Sequence, residues 1–410
     1  MTRNEPLISA EDVLAQLLSE SHWVSPSNLP DVLQRHAPSL GVEKLTVYLA
    51  DLQQDWLTPL TNHGEAAPER LSIDTSLAGW AYRTASLRVT DQHRNGLALW
   101  VPMLDGIDRV GVLRVQAESL NAVTVRNARS IASLLTLFLI AKGNSSDDYV
   151  QLKRAQRMQL PAEFVWSFLP SRSLGSDGMT SSAFLEPAYE LGGDAYDHSL
   201  INNTLHTTIL DAMGHDVVAG LSVAISLAGC RNTRRSGGNL LDITKVVDKN
   251  LATLFLDRFV TGIFAHLDLS TGMMTWANCG HPTPMLIRRQ EIVPDALKRE
   301  PELPLGMVSQ DNGDADRQIH QEQLEPGDRV LMYSDGITEA RSETGKTFGE
   351  ERFTDFVIRA TAAGEPAPEA LRRLTHSILD YQHGNFTDDA TTLLFEWHPH
   401  EPHEPEVVPT

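Results

Sequence analysis

The sequence has few cysteines, few basic residues and no long hydrophobic run, and each shortage excludes a class of protein. Two cysteines in 410 residues cannot build a disulfide framework, which indicates a reducing compartment. The 34 basic residues face 54 acidic ones, and this net charge of −20 argues against nucleic-acid binding, which needs a cationic surface. The acidic surplus is compatible with a carboxylate-rich cation site, although a solvated acidic surface explains most of these charges.

Targeting and membrane signals are also missing. The first residues, MTRNEPLISAEDVL, contain no apolar core of the signal-peptide type. The longest apolar run, IASLLTLFLIA at 131–141, is shorter than the roughly 20 residues that span a bilayer. We therefore expect a cytoplasmic protein without a membrane span, in which this run forms a core helix or a homodimer-interface helix.

The chain length and the order of periodic segments predict two domains, the first over residues 10–142. Apolar residues at helical spacing occur at both ends of this segment. Strand patterns lie between them, at 44–50, 97–104 and 109–116. One α/β domain accounts for this order.

The composition changes to small and acidic residues after residue 142, which predicts a linker over 143–160. Its second part, YVQLKRAQRMQL, predicts a helix whose thin apolar stripe fits a two-chain coiled coil or an exposed connection equally well. Strand and helix patterns then alternate over 161–397, which predicts a second domain. The tail at 398–410 is rich in Pro and Glu and predicts disorder.

Aspartates recur beside predicted strands of the second domain. A strand at Thr207–Leu210 runs directly into an aspartate, a second strand at Val330–Tyr333 is followed by another, and a third aspartate precedes the strand that begins at Thr391. A fourth follows two glycines in ELGGDAYD. If the strand ends meet at one edge, these four carboxylates meet there too: Asp194, Asp211, Asp335 and Asp388.

The chemistry of these side chains points to a divalent metal centre. Mg²⁺ and Mn²⁺ prefer oxygen ligands, and clustered carboxylates repel each other unless a cation lies between them. Two such ions roughly 3.5–4 Å apart can share a water, lower its pKa and hold a phosphoryl group for in-line attack. A single Asp-Gly or Asp-Asp pair is usually part of a turn or a helix cap. Only the four aspartates taken together are therefore specific for a metal site.

Six ordered motifs make residues 160–397 resemble a known enzyme family: PAYELGGDAYD, DAMGHD, NCGHPTP, LPLGM, GDRVLMYSDGITEA and DDAT. They resemble the stage-II-sporulation-E/RsbU-type phosphatases, which are PP2C-like metal-dependent serine/threonine phosphatases. The resemblance implies a β-sandwich flanked by helices in α-β-β-α layers, with two Mn²⁺ or Mg²⁺ ions at one end.

Carried over by position, the resemblance implies a ligand for each ion. Asp211 would bridge the two ions. Asp335 and Asp388 would complete the ligand shell of the first ion. The backbone carbonyl of Ala212 and the carboxylate of Asp194 would be ligands of the second ion.

Other polar residues near these motifs receive no ligand role from the resemblance. Asp389 aligns with a non-ligand position, and Asp197 is interpreted as a structural residue or one that supports the ligands. His215 and His281 are interpreted as turn or supporting groups rather than zinc ligands. Asp216 departs from the family pattern, which usually has glycine there.

The first domain is similar to GAF sensor domains, through TSLAGWAYRTASLRVTD at 75–91 and LWVPMLDGIDRVGVLRVQ at 99–116. This likeness implies an antiparallel sheet with helices. It also implies a sensor for an unidentified small ligand, or a dimerisation unit.

The two resemblances together predict an enzyme, a metal-dependent protein phosphatase under control of the GAF-like domain. Its implied partner is a phosphorylated anti-anti-sigma protein of the STAS type. Two alternatives stay open: a non-catalytic scaffold that recruits STAS partners, and a phosphatase for a small phosphorylated metabolite.

Overall fold

Three antiparallel sheets organise the part of the chain that the computed structural model describes. That part is residues 10–399 without 63–67, 92–95, 144, 191, 256, 301, 308–316, 342–345, 363–364 and 383–387. The chain divides into two compact units between Gln156 and Arg157. Each unit is described by itself.

The first unit contains one six-stranded sheet and five α-helices among its described residues. Its helices are α1 (Ala10–Ser21), α2 (Leu29–His36), α3 (Leu77–Thr84), α4 (Ala122–Gly143) and α5 (Asp147–Leu152). Its strands are β1 (Lys44–Ala50), β2 (Trp56–Pro59), β3 (Leu71–Ser72), β4 (Arg88–Asp91), β5 (Leu97–Asp105) and β6 (Asp108–Ala117). The strand order is β3-β2-β1-β6-β5-β4.

The β5–β6 hairpin shows how the local sequence sets this sheet. Asp105 pairs with Asp108, so Gly106 and Ile107 form a two-residue turn. Gly106 has a φ of +59°, a backbone conformation that glycine adopts without steric cost. The strands predicted at 44–50, 97–104 and 109–116 are therefore present, to within one residue at each end.

Helix α4 buries one face against this sheet. Ile131, Leu135 and Leu139 are buried in the core of the unit, while Leu137 is 63% exposed. Among the described helices, α4 alone has the length and apolar composition that a bilayer span requires, and 44% of its most apolar window is buried inside the fold. Core helices meet the same two criteria.

The helix predicted through residue 160 is shorter than expected. Helix α5 ends at Leu152, residues 153–159 are not helical, and the next helix begins at Leu160. The thin apolar stripe offers little burial to stabilise a longer helix, and Pro161 fits the first turn of a new one. The tail predicted to be disordered lies outside the described residues from position 400 onward.

The second unit contains two sheets and six α-helices among its described residues. Its helices are α6 (Leu160–Trp166), α7 (Val217–Arg235), α8 (Leu240–Leu254), α9 (Asp335–Glu339), α10 (Gly349–Ala362) and α11 (Ala367–Tyr381). Its first eight strands are β7 (Ser173–Ser176), β8 (Met179–Glu186), β9 (Asp194–Ile201), β10 (Thr204–Ala212), β11 (Val260–Asp268), β12 (Met273–Cys279), β13 (Met285–Arg288) and β14 (Glu291–Ile292). The last three are β15 (His320–Gln323), β16 (Arg329–Tyr333) and β17 (Ala390–Trp397).

The two sheets pack face to face. One has the order β15-β12-β11-β10-β9 and the other β14-β13-β16-β17-β8-β7. Alternation along β16 shows the layers: Val330 and Met332 enter the core shared with the first sheet and with α7 and α8. Leu331 and Tyr333 enter a separate core under α10 and α11. The α-β-β-α sandwich implied by the sequence is confirmed.

Candidate metal centre

Two aspartates lie at one end of the first sheet. Asp194 begins β9 and Asp211 is the penultimate residue of β10, and the two are direct partners in the antiparallel ladder. Directly opposite residues point to the same face, so their carboxylates share one side of the sheet. The Ala212 amide donates to the Gly193 carbonyl at 2.9 Å, which closes this end of the hairpin.

Two more aspartates lie at the matching end of the second sheet. Strand β16 ends one residue before Ser334, Asp335 begins the short helix α9, and Asp388 precedes β17. Ser334 joins the two segments, because its amide donates to the Thr391 carbonyl at 3.0 Å and its hydroxyl accepts from the Thr391 amide at 2.9 Å. Asp335 and Asp388 are thereby held at the same edge.

Asp389 connects the two sheets, a role that the sequence analysis did not assign to it. Its Oδ2 accepts a hydrogen bond from the Gly193 amide at 2.6 Å, across 196 residues of sequence. Its side chain is 2% exposed, whereas Asp388 is exposed. Two adjacent aspartates give no local signal of which one is buried, so only the packing of the two sheets could reveal this contact.

Burial and mutual repulsion raise the pKa of four of these carboxyl groups, those of Asp194, Asp211, Asp335 and Asp389. Burial, with the charges of Asp194 and Asp335, raises the pKa of Asp211 from 3.8 to about 10. Burial, with the charges of Asp388 and Asp335, raises that of Asp194 to about 7. The pKa values of Asp335 and Asp389 are raised for the same reasons. The five aspartates therefore act as one electrostatic cluster that a cation would stabilise.

The donor set fits a hard divalent cation in chemistry and charge. Asp389 Oδ1 is buried without a hydrogen-bond partner among the described residues. A Cβ at Gly193 would lie 2.5 Å from the Gly214 carbonyl oxygen and 3.1 Å from that of Ala212, so glycine leaves carbonyl oxygens close together.

Within the described residues, no three His, Cys, Asp or Glu side chains are arranged so that they could hold a metal ion. Mg²⁺ commonly keeps several waters and uses only one or two carboxylates, so the paired Asp194 and Asp211, with nearby backbone carbonyls, are sufficient for one such ion. The residues present therefore fit ions whose shells include backbone carbonyls and water.

The comparisons with known proteins identify the family of the second unit. Residues 202–398 match the family model of Stage II sporulation protein E (SpoIIE). This segment, slightly less than half of the chain, is a SpoIIE-family domain of the PP2C phosphatase type, which is a class of enzymes. The chain is 22% identical over 249 residues to the phosphoserine phosphatase RsbU of Bacillus subtilis, a match that covers 60% of this chain and 71% of RsbU.

Solved structures that resemble the chain have low identity to it. The SiaA-PP2C domain of Pseudomonas aeruginosa has 20% identity and a TM-score of 0.49, with 57% of this chain and 93% of that one covered. The RsbU and RsbW domains of Rv1364c from Mycobacterium tuberculosis have 21% identity and a TM-score of 0.47. That match covers 56% of this chain and spans 63% of the Rv1364c chain.

Two of the other polar residues near the sequence motifs have structural partners. Asp197 accepts hydrogen bonds from Arg231 at 2.7 Å and Arg234 at 2.9 Å, a buried ion pair between β9 and α7. His281 is buried, and its Nδ1 lies 2.8 Å from the Thr261 hydroxyl. His215 is exposed. None of these arrangements indicates a ligand role, in line with the sequence analysis.

A groove of about 580 Å³ lies beside α9 in the SpoIIE-family domain. Its lining includes Pro282, Tyr333, Thr338 and Glu350 but none of the five predicted ligand residues. The groove is therefore separate from the aspartate cluster.

The raised pKa values of the SpoIIE-family site predict how the stability of the metal-free protein changes with pH. Above the unfolded pKa of 3.8, an unfolded chain has released the Asp211 proton, while the folded protein keeps it up to about pH 10. The folded state then binds more protons, so the free energy of unfolding falls as pH rises. Between about pH 7 and 9 histidines are neutral in both states, and we expect the Tm in EDTA to fall.

Mn²⁺ should reverse this trend. At 100 times its Kd, a ligand stabilises the folded state by about 2.7 kcal/mol, which corresponds to a Tm increase of about 5–10 °C for a domain of this size. The increase should be larger at the higher pH, where Asp194 and Asp211 bind the ion with fewer protons to displace. Thermal unfolding followed by circular dichroism measures both effects. A Tm in EDTA that rises over this pH range would contradict the assignment.

Proposed function

We propose that the chain is a metal-dependent protein serine/threonine phosphatase. The observation that carries this proposal is the grouping of aspartates at one end of the sandwich: Asp194 and Asp211 are partners in the β9–β10 ladder, and Asp389 accepts from the Gly193 amide across the two sheets. Four of the five aspartates of this group lie within residues 202–398, the segment that matches the SpoIIE family. Their chemistry suits two divalent cations, Mn²⁺ or Mg²⁺.

The predicted ligand positions are those of the sequence analysis. Asp211 would contribute to both ions, Ala212 (through its carbonyl) and Asp194 would hold one of them, and Asp335 and Asp388 would hold the other. Such ions, when bound, supply an activated water for attack on phosphorus and neutralise charge on the phosphoryl oxygens.

The chain's own residues keep this arrangement rigid. The β9–β10 ladder holds Asp194 and Asp211 opposite each other. Asp389 fixes the Gly193 amide, and Ser334 joins the segments that carry Asp335 and Asp388. Positions defined by backbone hydrogen bonds need little rearrangement when the phosphate enters.

A cysteine-based phosphatase mechanism does not fit the described residues. Cys230 and Cys279 are both buried, and burial raises the pKa of their thiols to about 11 and about 12. A thiolate nucleophile needs a lowered pKa and access to substrate.

The proposed substrate is a serine- or threonine-phosphorylated anti-anti-sigma protein of the STAS type. The sequence motifs and the similarity to RsbU, a phosphoserine phosphatase by name, support this choice. Dephosphorylation would free the STAS protein to bind an anti-sigma factor and release a sigma factor. The first unit, with its six-stranded antiparallel sheet, is proposed to act as the GAF-like sensor or dimerisation domain that controls turnover.

The test is phosphate release from a serine-phosphorylated STAS protein by the full chain, with Mn²⁺, with Mg²⁺ and with EDTA. We expect turnover that requires the metal and that is far slower on free phosphoserine. Equal rates on both substrates would favour the small-metabolite phosphatase. Binding of the STAS protein with metal bound but without turnover, in the full chain and in the 157–399 segment, would favour the scaffold.

A further inference from the structure

Arg258 joins two parts of the loop that follows the predicted ligands Asp211 and Ala212. Its guanidinium donates to the Met213 carbonyl at 2.9 Å through Nη1 and to Asp216 Oδ2 at 2.9 Å through Nη2. A planar guanidinium can bridge two acceptors in fixed geometry, which an ammonium cannot do. Arg258 lies two residues before β11, the strand that pairs with β10.

The same loop has further attachments on either side of this bridge. The Met213 amide donates to the Phe259 carbonyl at 3.2 Å, so the residue is held through both its amide and its carbonyl. Asp216 is also the N-cap of α7, because its Oδ1 accepts from the Ala219 amide at 2.8 Å. Between them, Gly214 has a φ of +89° and would place a Cβ 3.2 Å from the guanidinium. Residues 213–216 thus run between α7 and β11.

Asp216 is the unusual member of this arrangement. A glycine at this position would supply neither a side-chain cap nor a partner for an arginine. In this chain one carboxylate does both, with one oxygen directed to the helix and the other to Arg258.

We propose that Arg258 and Asp216 form a clamp that positions the Ala212 carbonyl and the Asp211 carboxylate for a divalent cation. This inference rests on the proposed function. Arg258 donates to the Met213 carbonyl, and Met213 directly follows Ala212 in the chain. The clamp therefore acts one residue away from a predicted ligand. Arg258 and Asp216 are positioning residues, because they act through the loop. Partners that orient metal ligands in this way typically change metal affinity 10–100-fold when they are removed.

The partial exposure of the Arg258 and Asp216 side chains distinguishes a positioning role from a contribution to global stability. The Arg258 side chain is 27% exposed and that of Asp216 is 51% exposed, and ion pairs of this kind contribute little to global stability. We therefore expect the loss of the clamp to weaken metal binding far more than it lowers the Tm of the metal-free protein.

The experiment is calorimetric titration of the full chain with Mn²⁺, for wild type, Arg258→Gln, Asp216→Asn and the double variant. Each single change should raise the Kd about 10-fold. Asparagine remains a good N-cap, so the Tm of Asp216→Asn in EDTA should stay close to that of wild type. The double variant should bind no more weakly than either single one, because each change already breaks the same bridge.

A matched control is Arg329→Gln, which removes another partly buried arginine from a carboxylate partner. Arg329 Nε donates to Glu396 Oε2 at 2.8 Å, between neighbouring strands of the second sheet. Its Mn²⁺ Kd should equal that of wild type.

The outcomes separate this inference from the proposed function. If wild type binds Mn²⁺ and both clamp variants bind it equally well, the clamp is wrong and the proposed function stands. Additive losses in the double variant would also overturn the clamp. If wild type itself binds no Mn²⁺, the metal-dependent function and the clamp both fail.

Discussion

The Asp211→Asn variant is expected to lose phosphatase activity by about 10³-fold or more. Asp211 is the predicted bridge between two ions, and ions of this kind contribute several kcal/mol of transition-state stabilisation, with each 1.36 kcal/mol worth about tenfold in rate. The measurement is kcat on the phosphorylated STAS protein at saturating Mn²⁺. Calorimetry should show weakened Mn²⁺ binding as well.

The same variant should fold as well as wild type without metal. Because burial and neighbouring carboxylates raise the pKa of Asp211 to about 10, this group is neutral at pH 7 in the metal-free protein. Asparagine is neutral and nearly the same size, so the Tm in EDTA should not fall.

The matched control is Asp268→Asn at the opposite end of the same two strands. Asp268 pairs with Thr204, whereas Asp211 pairs with Thr261. The Asp268 carboxylate accepts local hydrogen bonds from Ser270 and Thr271, so its loss should leave kcat unchanged. An Asp211→Asn enzyme with wild-type turnover would overturn the bridging assignment.

The second large effect is expected for Gly336→Ala. A Cβ at Gly336 would lie 1.9 Å from the Asp389 carbonyl oxygen, a backbone atom that cannot rotate away. The two segments that carry Asp335 and Asp388 must then separate. Overpacking of this kind costs about 1–3 kcal/mol, or a Tm decrease of about 2–12 °C. Misplacing a ligand by about 1 Å costs about 10²-fold in rate, so activity should fall by at least that factor.

Gly178→Ala is the control for this substitution. A Cβ at Gly178 would meet nothing closer than Leu269 side-chain atoms at 4.0 Å. Its Tm and kcat should match those of wild type. If Gly336→Ala keeps full activity while its Tm falls, then Asp335 is not held in place by this contact, and its assignment as a ligand loses its structural support.

The sequence by itself determined most of the local structure and predicted the kind of chemistry. Alternation along KLTVYLA predicted β1, and β-branched residues predicted the strand that ends at Asp211. The identity and order of the aspartates indicate a site for a hard cation without any knowledge of distances. These properties depend on residue type and on spacings of a few positions along the chain. Both can be read directly from the amino-acid sequence.

The tertiary structure alone decided which neighbours these residues have. Asp388 and Asp389 are adjacent in sequence, yet only the packing of two sheets makes Asp389 the partner of Gly193, 196 residues away. Likewise, Arg258 and Asp216 are 42 residues apart, and the β10–β11 pairing brings them together. The helix predicted through residue 160 ended at Leu152, since a thin apolar stripe gave too little burial. Contacts between segments far apart in sequence depend on how the layers pack, and residue spacing along one segment carries no information about that packing.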